Sequence, residues 1–223
     1  MKVILFGASG MVGQGVLREC LADGNVELVL CVGRSGSGVT HAKLHEVVHP
    51  DLWHYDAVES ALTGFDACFF CLGVSAGGMT EAAYDHVTYG ITIAAASTLS
   101  RVNSSMTFIY VSGAGTDSSE KGSTMWARVK GKTENALLRM PFKAAYMFRP
   151  GAIESVHGER SKTTAYRVFY VFIRPLLPLL RRFLPDYVTT TQHIGRAMLE
   201  VTKHGNATAI LENRDINTRG TKL

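Results

Sequence analysis

Val3-Ile4-Leu5-Phe6-Gly7-Ala8-Ser9-Gly10-Met11-Val12-Gly13 opens the chain with an apolar run and three glycines at Gly-x-x-Gly-x-x-Gly spacing. Four consecutive apolar residues suit a strand covered on both faces, and Val12, Val16, Leu17, Cys20 and Leu21 then share one face of a helix. The order is strand, glycine turn, helix. Glycine reaches backbone angles closed to other residues and lets a ligand approach the main chain, while a helix N-terminus turns unpaired N–H groups toward negative charge. Together they predict a dinucleotide whose pyrophosphate lies over residues 7–13.

The rest of the chain is consistent with that start. With 223 residues and 46% hydrophobic content, it can bury one substantial core, and no low-complexity linker divides it. A single domain over 1–223 is expected. The net charge of +4 comes without a long basic block, so no nucleic-acid partner is indicated and a small anionic ligand fits better. A first strand starting at residue 2 leaves no room for a signal peptide, and no run of 18 uncharged apolar residues occurs. A cytoplasmic location follows as the expectation.

Apolar runs predict further strands at Glu27 to Val32, Lys43 to Val48, Ala67 to Leu72, Met106 to Val111 and Ala144 to Phe148. Helical patterns lie between most of them. The longest runs from Thr80 to Leu99, with Tyr84, Val87, Ile91, Ala94, Ala95 and Leu99 at three- and four-residue steps. Such alternation predicts an α/β fold: a Rossmann-type, doubly wound parallel sheet with ligands at the carboxyl ends of its strands. Cys68-x-x-Cys71 has redox or metal spacing, but positions i and i+3 of a strand face opposite ways, so Cys20, Cys31, Cys68 and Cys71 read as small core residues. His41, His45 and His49 recur every four residues with His54 nearby, yet no acidic or cysteine ligand has matching spacing. No metal site is assigned.

At the end of the second strand, where an NAD site usually carries an acidic residue for the ribose diol, stand Gly33 and Arg34. A guanidinium there suits a 2′-phosphate, so NADP(H) is favoured over NAD(H).

Several short motifs complete the pattern. Asp51-Leu52 follows the third strand, Cys71-Leu72-Gly73-Val74 ends the fourth, and Val111-Ser112-Gly113-Ala114-Gly115 ends the fifth. Lys130-Gly131 lies in the next helix, and Arg149-Pro150-Gly151 ends the sixth strand. With the glycine turn, they resemble the short-chain dehydrogenase/reductase superfamily, in its small atypical, epimerase-like members that include the Tat-interacting-protein branch. The resemblance implies that Gly7, Ser9, Gly10, Met11, Val12 and Gly13 line the pyrophosphate and ribose. It places Leu52 by the adenine, Leu72 and Gly73 by the ribose, and Arg149, Pro150 and Gly151 on the path past the nicotinamide. Ser112 would orient a substrate carbonyl, and Lys130 would hold the nicotinamide ribose and lower the pKa of a neighbouring acid.

One position departs from the family. Members with full activity place a tyrosine four residues before the lysine, and here Trp126 stands there. An indole N–H donates a hydrogen bond but does not ionise usefully near neutral pH. Trp126 either stacks over a flat ligand or covers the pocket as a half-buried helix aromatic. Two readings of function follow: an oxidoreductase acting on a small carbonyl compound, or a catalytically silent NADP(H)-sensing protein.

Residues 113–124, rich in glycine and small polar side chains, read as a flexible loop beside the pocket. Residues 152–190 read as a substrate-side extension. Within it Tyr166 to Leu184 is apolar with an arginine fringe, and Pro175 and Pro178 interrupt any continuous helix. It is expected to form a lid or a subunit contact, with a homodimer as one outcome, rather than to dock on a membrane. Thr191 is expected to cap a last helix carrying Ile194, Ala197, Met198 and Val201.

Overall fold

A computed structural model describes residues 1–159, 184 and 186–221. The first strand, β1 (Lys2–Phe6), leads into α1 (Met11–Ala22), and β2 (Leu28–Gly33) and β3 (Leu44–Val48) follow. A 3-10 turn (Asp56–Leu62) precedes β4 (Ala67–Phe70). Next come α2 (Glu81–Asp85), a π-turn (His86–Gly90), α3 (Ile91–Val102), β5 (Thr107–Val111), α4 (Met125–Leu138) and β6 (Ala144–Arg149). The remaining described elements are β7 (Ala152–Glu154), β8 (Val188–Thr190), α5 (Thr191–His204), β9 (Ile210–Glu212) and α6 (Asn213–Gly220).

Seven strands form one parallel sheet in the order β3-β2-β1-β4-β5-β6-β9. The strand order reverses beside β1, so a crevice opens where β1 and β4 end, in line with the glycine turn. Alternation along β1 divides the core. Val3 and Leu5 join the layer containing Val16, Leu17, Ile194 and Met198, whereas Ile4 and Phe6 join the layer containing Leu62, Phe70, Leu99 and Phe108. The same alternation separates the cysteines of the fourth strand. Cys68 lies in the second layer and Cys71 packs against the first, and burial pushes both thiols well above their ordinary range.

The strand expectations hold to within two residues, while the helical ones need three corrections. The stretch Thr80 to Leu99 is not one regular helix. Thr80 caps α2 by accepting a hydrogen bond from the Ala83 N–H at 3.3 Å, and the π-turn then adds a residue before α3. The cap of α5 is Thr190, not Thr191, its hydroxyl accepting from the His193 N–H at 2.9 Å. Nor is α5 the last helix, since β9 and α6 follow it. These two elements have three and eight residues; the first is too short, and the second too polar, to carry an apolar period. Tyr166 to Phe183 lie outside the described residues.

Helix α1 is pressed against α5. A Cβ on Gly15 would lie 2.5 Å from Thr191 Cβ and 3.0 Å from the Thr191 carbonyl oxygen. Beside it, the buried Glu19 carboxylate accepts from Arg196 Nε at 2.9 Å. Gly15→Ala is expected to destabilise the protein by about 2 kcal/mol: overpacking costs about 1–3 kcal/mol and outweighs the roughly 1 kcal/mol that alanine contributes in a helix. Urea unfolding checks this, and a midpoint unchanged or raised would contradict so close a packing.

Candidate functional site

The glycine turn is built by backbone contacts that side chains would block. Gly7 has φ +82°, and a Cβ there would lie 2.7 Å from the Cys71 carbonyl carbon and the Leu72 nitrogen. A Cβ on Gly13 would lie 2.0 Å from the Gly7 carbonyl oxygen. The turn therefore touches the end of β4, bringing Leu72 and the exposed Gly73 beside residues 7–13. Gly10 caps α1 without a side-chain hydrogen bond, and no acidic residue stands in the first turn. Main-chain N–H groups and the positive end of the helix dipole thus face the crevice, a donor set that fits a pyrophosphate. Met11 and Val12 are half-buried at its floor, and Gln14 holds the turn by donating to the Ser9 carbonyl at 3.0 Å.

Arg34 is exposed directly after Gly33, the last residue of β2. The loop behind it is shaped by Glu46, whose carboxylate accepts from the Ser37 N–H at 2.6 Å. Leu52, expected beside the adenine, is only 3% exposed and packs in the second core layer. Its side chain supports the site from beneath, and what it can offer a ligand is backbone. Just beyond, Trp53 stacks on His86 of the π-turn, the ring centroids 5.0 Å apart and the planes 18° apart. The pair lines an open cleft of about 750 Å³ with Pro50, Asp51 and His54. Asp51 accepts from His54 Nδ1 at 2.8 Å, and that hydrogen bond holds its carboxyl below the usual range. The histidines of this region therefore have local partners: His49 Nε2 meets the His54 carbonyl at 2.6 Å.

The end of β5 is arranged differently from the expectation for Ser112. Lys130 is half-buried on α4 and donates from Nζ to the Ser112 carbonyl. Burial pulls its pKa down to about 8, against the opposing pull of the Glu134 carboxylate. Ser112, expected to hold a substrate oxygen, instead donates its hydroxyl to Glu134 Oε1 at 2.5 Å and lies 3.1 Å from the Phe148 carbonyl. A hydroxyl has a single proton, and this one is committed to an interior carboxylate.

Arg149 also turns inward rather than along a nicotinamide path. Its Nε donates to Glu134 at 3.0 Å, one terminal nitrogen to the same carboxylate and to Ser118, and the other to Glu212 at 3.2 Å. Pro150 is buried, and its carbonyl accepts from the Ala114 N–H at 2.8 Å. Gly151 donates to Asn213 Oδ1 at 2.8 Å. These residues fix the end of β6 against its neighbours.

Trp126 lies one turn before Lys130 on α4, with its indole 3.6 Å from where a Cβ on Gly115 would stand. It is half-buried and closes over the loop after β5. That loop is tied down, not loose. The Asp117 carboxylate accepts from the Ser119 and Gly122 N–H groups, at 2.9 and 2.6 Å, and the Asp117 N–H donates to the Ala127 carbonyl at 3.1 Å. Gly131 permits this packing, since a Cβ there would overlap the Asp117 carbonyl.

Glu134 went unrecognised in the sequence. It continues the i, i+4, i+8 series of Trp126 and Lys130, so an acidic residue on the face otherwise turned to the sheet was the available signal. The Trp53–His86 stack joins residues 33 positions apart and left no local trace.

A parallel sheet in this order, with a glycine turn at its first crossover, defines a Rossmann-type dinucleotide-binding fold, and a lysine stands beside the end of β5. The chain belongs to the NAD(P)H-binding family, whose model matches residues 7–162. It is 29% identical over 167 residues to Protein fmp52-1, mitochondrial, of Aspergillus terreus, covering 71% of this chain and 69% of that protein. It is 27% identical to Protein HTATIP2 of Rattus norvegicus over 96% of this chain and 87% of that one. Among solved structures, a short chain dehydrogenase family protein from Francisella tularensis superposes with a TM-score of 0.65 at 14% identity, covering 95% of each chain. The Bordetella bronchiseptica enzyme WbmG, solved with NAD, gives 0.67 at 12% identity over 94% of this chain and 71% of that one. Among the described residues, no helix is long and apolar enough to cross a membrane.

Arg149→Met leaves the Glu134 carboxylate buried without its counter-ion and is expected to cost about 3–5 kcal/mol. Glu212→Gln removes only a contact at the exposed rim and is expected to cost less than about 1 kcal/mol. Equal losses for the two, measured by urea unfolding, would show that the interior pair is not the stronger constraint.

Proposed function

We propose that this protein binds NADP(H) and acts as an oxidoreductase on a small carbonyl compound. The observation that carries the reading is the bare backbone cradle at Gly7–Gly13, together with Lys130 at the same carboxyl edge of the sheet, beside the end of β5. When bound, the nicotinamide cofactor supplies or accepts a hydride. The chain's own part is to hold and orient. Main-chain N–H groups at the start of α1 take the pyrophosphate, Arg34 pairs with the 2′-phosphate, and Lys130 hydrogen-bonds the nicotinamide ribose with the N–H groups not given to Ser112. Leu72 and Gly73 sit by the ribose, and Pro150 and Gly151 keep the end of β6 in place. Trp126 covers the pocket without supplying a proton, so the substrate oxygen takes its proton from water or from the substrate itself.

The second reading is a sensor that binds NADP(H), consumes nothing and reports occupancy to a partner. Trp126, standing where active relatives place tyrosine, is the feature that favours it. Turnover separates the two: NADPH oxidation with any member of a carbonyl panel establishes the enzyme, and tight binding with none establishes the sensor. A homodimer and a cytoplasmic location belong to the same proposal. The fungal relative's name carries the word mitochondrial, so fractionation of the native protein decides the compartment.

NADPH is expected to bind more tightly than NADH, because a guanidinium forms charge-assisted hydrogen bonds with a 2′-phosphate. Arg34→Ala should erase the difference. Calorimetry at one ionic strength checks it, and equal affinities in the parent would remove Arg34 from the cofactor site.

Trp126→Tyr is expected to leave NADPH affinity unchanged and to raise carbonyl reduction by about 10²–10⁴-fold, the usual contribution of a positioned proton donor. A variant that binds NADPH yet gains no activity, when the parent reduces a panel member, would show that the indole serves a different mechanism.

A further inference from the structure

Two hydrogen bonds on opposite sides of Ser112 join the lysine of the proposed site to the protein interior. Its carbonyl accepts from Lys130 Nζ, and its hydroxyl donates to Glu134. Glu134 is completely buried and gripped by the Arg149 guanidinium through Nε and a terminal nitrogen. Lys130 and Glu134 are four residues apart on α4, so the carboxylate reaches the lysine by two routes, through space along the helix and through Ser112. On the far side Arg149 also bonds Glu212 of β9 and Ser118 of the loop after β5. The network therefore anchors α4, β5, β6 and β9 around one residue.

We propose that Glu134 is a positioning residue of the site: it fixes Ser112 so that the serine carbonyl seats the Lys130 ammonium, and it supplies the negative charge that keeps that ammonium protonated. The proposal rests on the reading of Lys130 as the ribose-binding residue, and it explains a feature that reading leaves over. A lysine held half-buried against a neutral carbonyl would tend to lose its proton, and a neutral amine holds a ribose hydroxyl less firmly than an ammonium. Burial already takes Lys130 down to about 8, and Glu134 is the opposing influence. The other charges of the network are Arg149, which partly cancels Glu134, and Glu212, at the exposed rim behind Arg149. On the β5 side, the lysine meets the Ser112 carbonyl.

The test is trace labelling of the full chain with acetic anhydride across pH, without cofactor, reading Lys130 and the other lysines by peptide mass spectrometry. In the parent, Lys130 should show a labelling midpoint near pH 8. Glu134→Gln removes the negative charge and leaves Arg149 opposed by Glu212 at the exposed rim, so the midpoint should fall by about 1 unit or more, while distant lysines such as Lys2 stay in place. Glu134→Gln with Arg149→Met removes both charges. Replacing a buried pair together is often close to neutral for folding, so this variant carries the test even where the single one does not fold. Its midpoint should lie between those of the parent and Glu134→Gln. An identical midpoint in parent and double variant, or a rise in either variant, overturns the proposal, because burial alone would then set the lysine. NADPH added to the parent should protect Lys130 from the label. Failure of protection counts against the cofactor reading, whereas the midpoints judge Glu134 independently.

Discussion

The carboxyl edge of the sheet depends on the passage of Gly13 over the Gly7 carbonyl, where a Cβ would stand 2.0 Å from the oxygen, with Gly7 itself against the end of β4. That contact fixes how steeply α1 leaves β1 and brings Cys71 and Leu72 of the neighbouring strand to the rim of the same turn. Everything else at the carboxyl edge of the sheet is placed relative to it. The N–H groups at the start of α1 are left without a side-chain cap because the capping residue is Gly10. The reversal of strand order beside β1 then leaves the crevice open.

Farther along the sheet, between α4 and the ends of β5 and β6, the organising group is a carboxylate. Interior ion pairs contribute little net stability when compared with apolar packing, but they impose a single arrangement, because every alternative leaves a charge without a partner. Here the arrangement imposed includes the helix that carries Trp126 and Lys130. Ser112 and Arg149 both bond this carboxylate and belong to the supporting layer. The strand-end serine of the family motif has become part of the interior.

The architecture was legible because strands buried on both faces are apolar runs, and glycines mark turns that no other residue can make. Cys68 and Cys71 fell on opposite faces of the sheet because strand alternation leaves no choice. The site was legible only where function falls on the backbone. The glycine turn could be placed from spacing, whereas the direction of the Ser112 hydroxyl and the Arg149 guanidinium depended on Glu134, which meets both only after α4 has packed on the sheet. Leu52 shows the same limit on a smaller scale: its side chain packs in the core layer with Phe6 and Tyr55, a direction that its place after the third strand did not reveal. The π-turn, β9 and α6 escaped notice because tertiary packing, rather than any local apolar period, maintains them.

The π-turn at His86–Gly90 has a consequence for how this chain can change. One residue corresponds to about 100° of rotation in a helix, so the inserted turn sets the outward direction of everything before it against everything after it. His86 faces the loop after β3, where it stacks on Trp53, while Tyr89 lies beneath the Lys132 ammonium of α4 at 4.1 Å. A regular helix cannot serve both directions with the same residues. Loss of a single codon here would straighten the segment and force it to abandon one contact, either the wall of the cleft or the helix bearing the lysine. Length, more than residue identity, is therefore what this segment cannot vary.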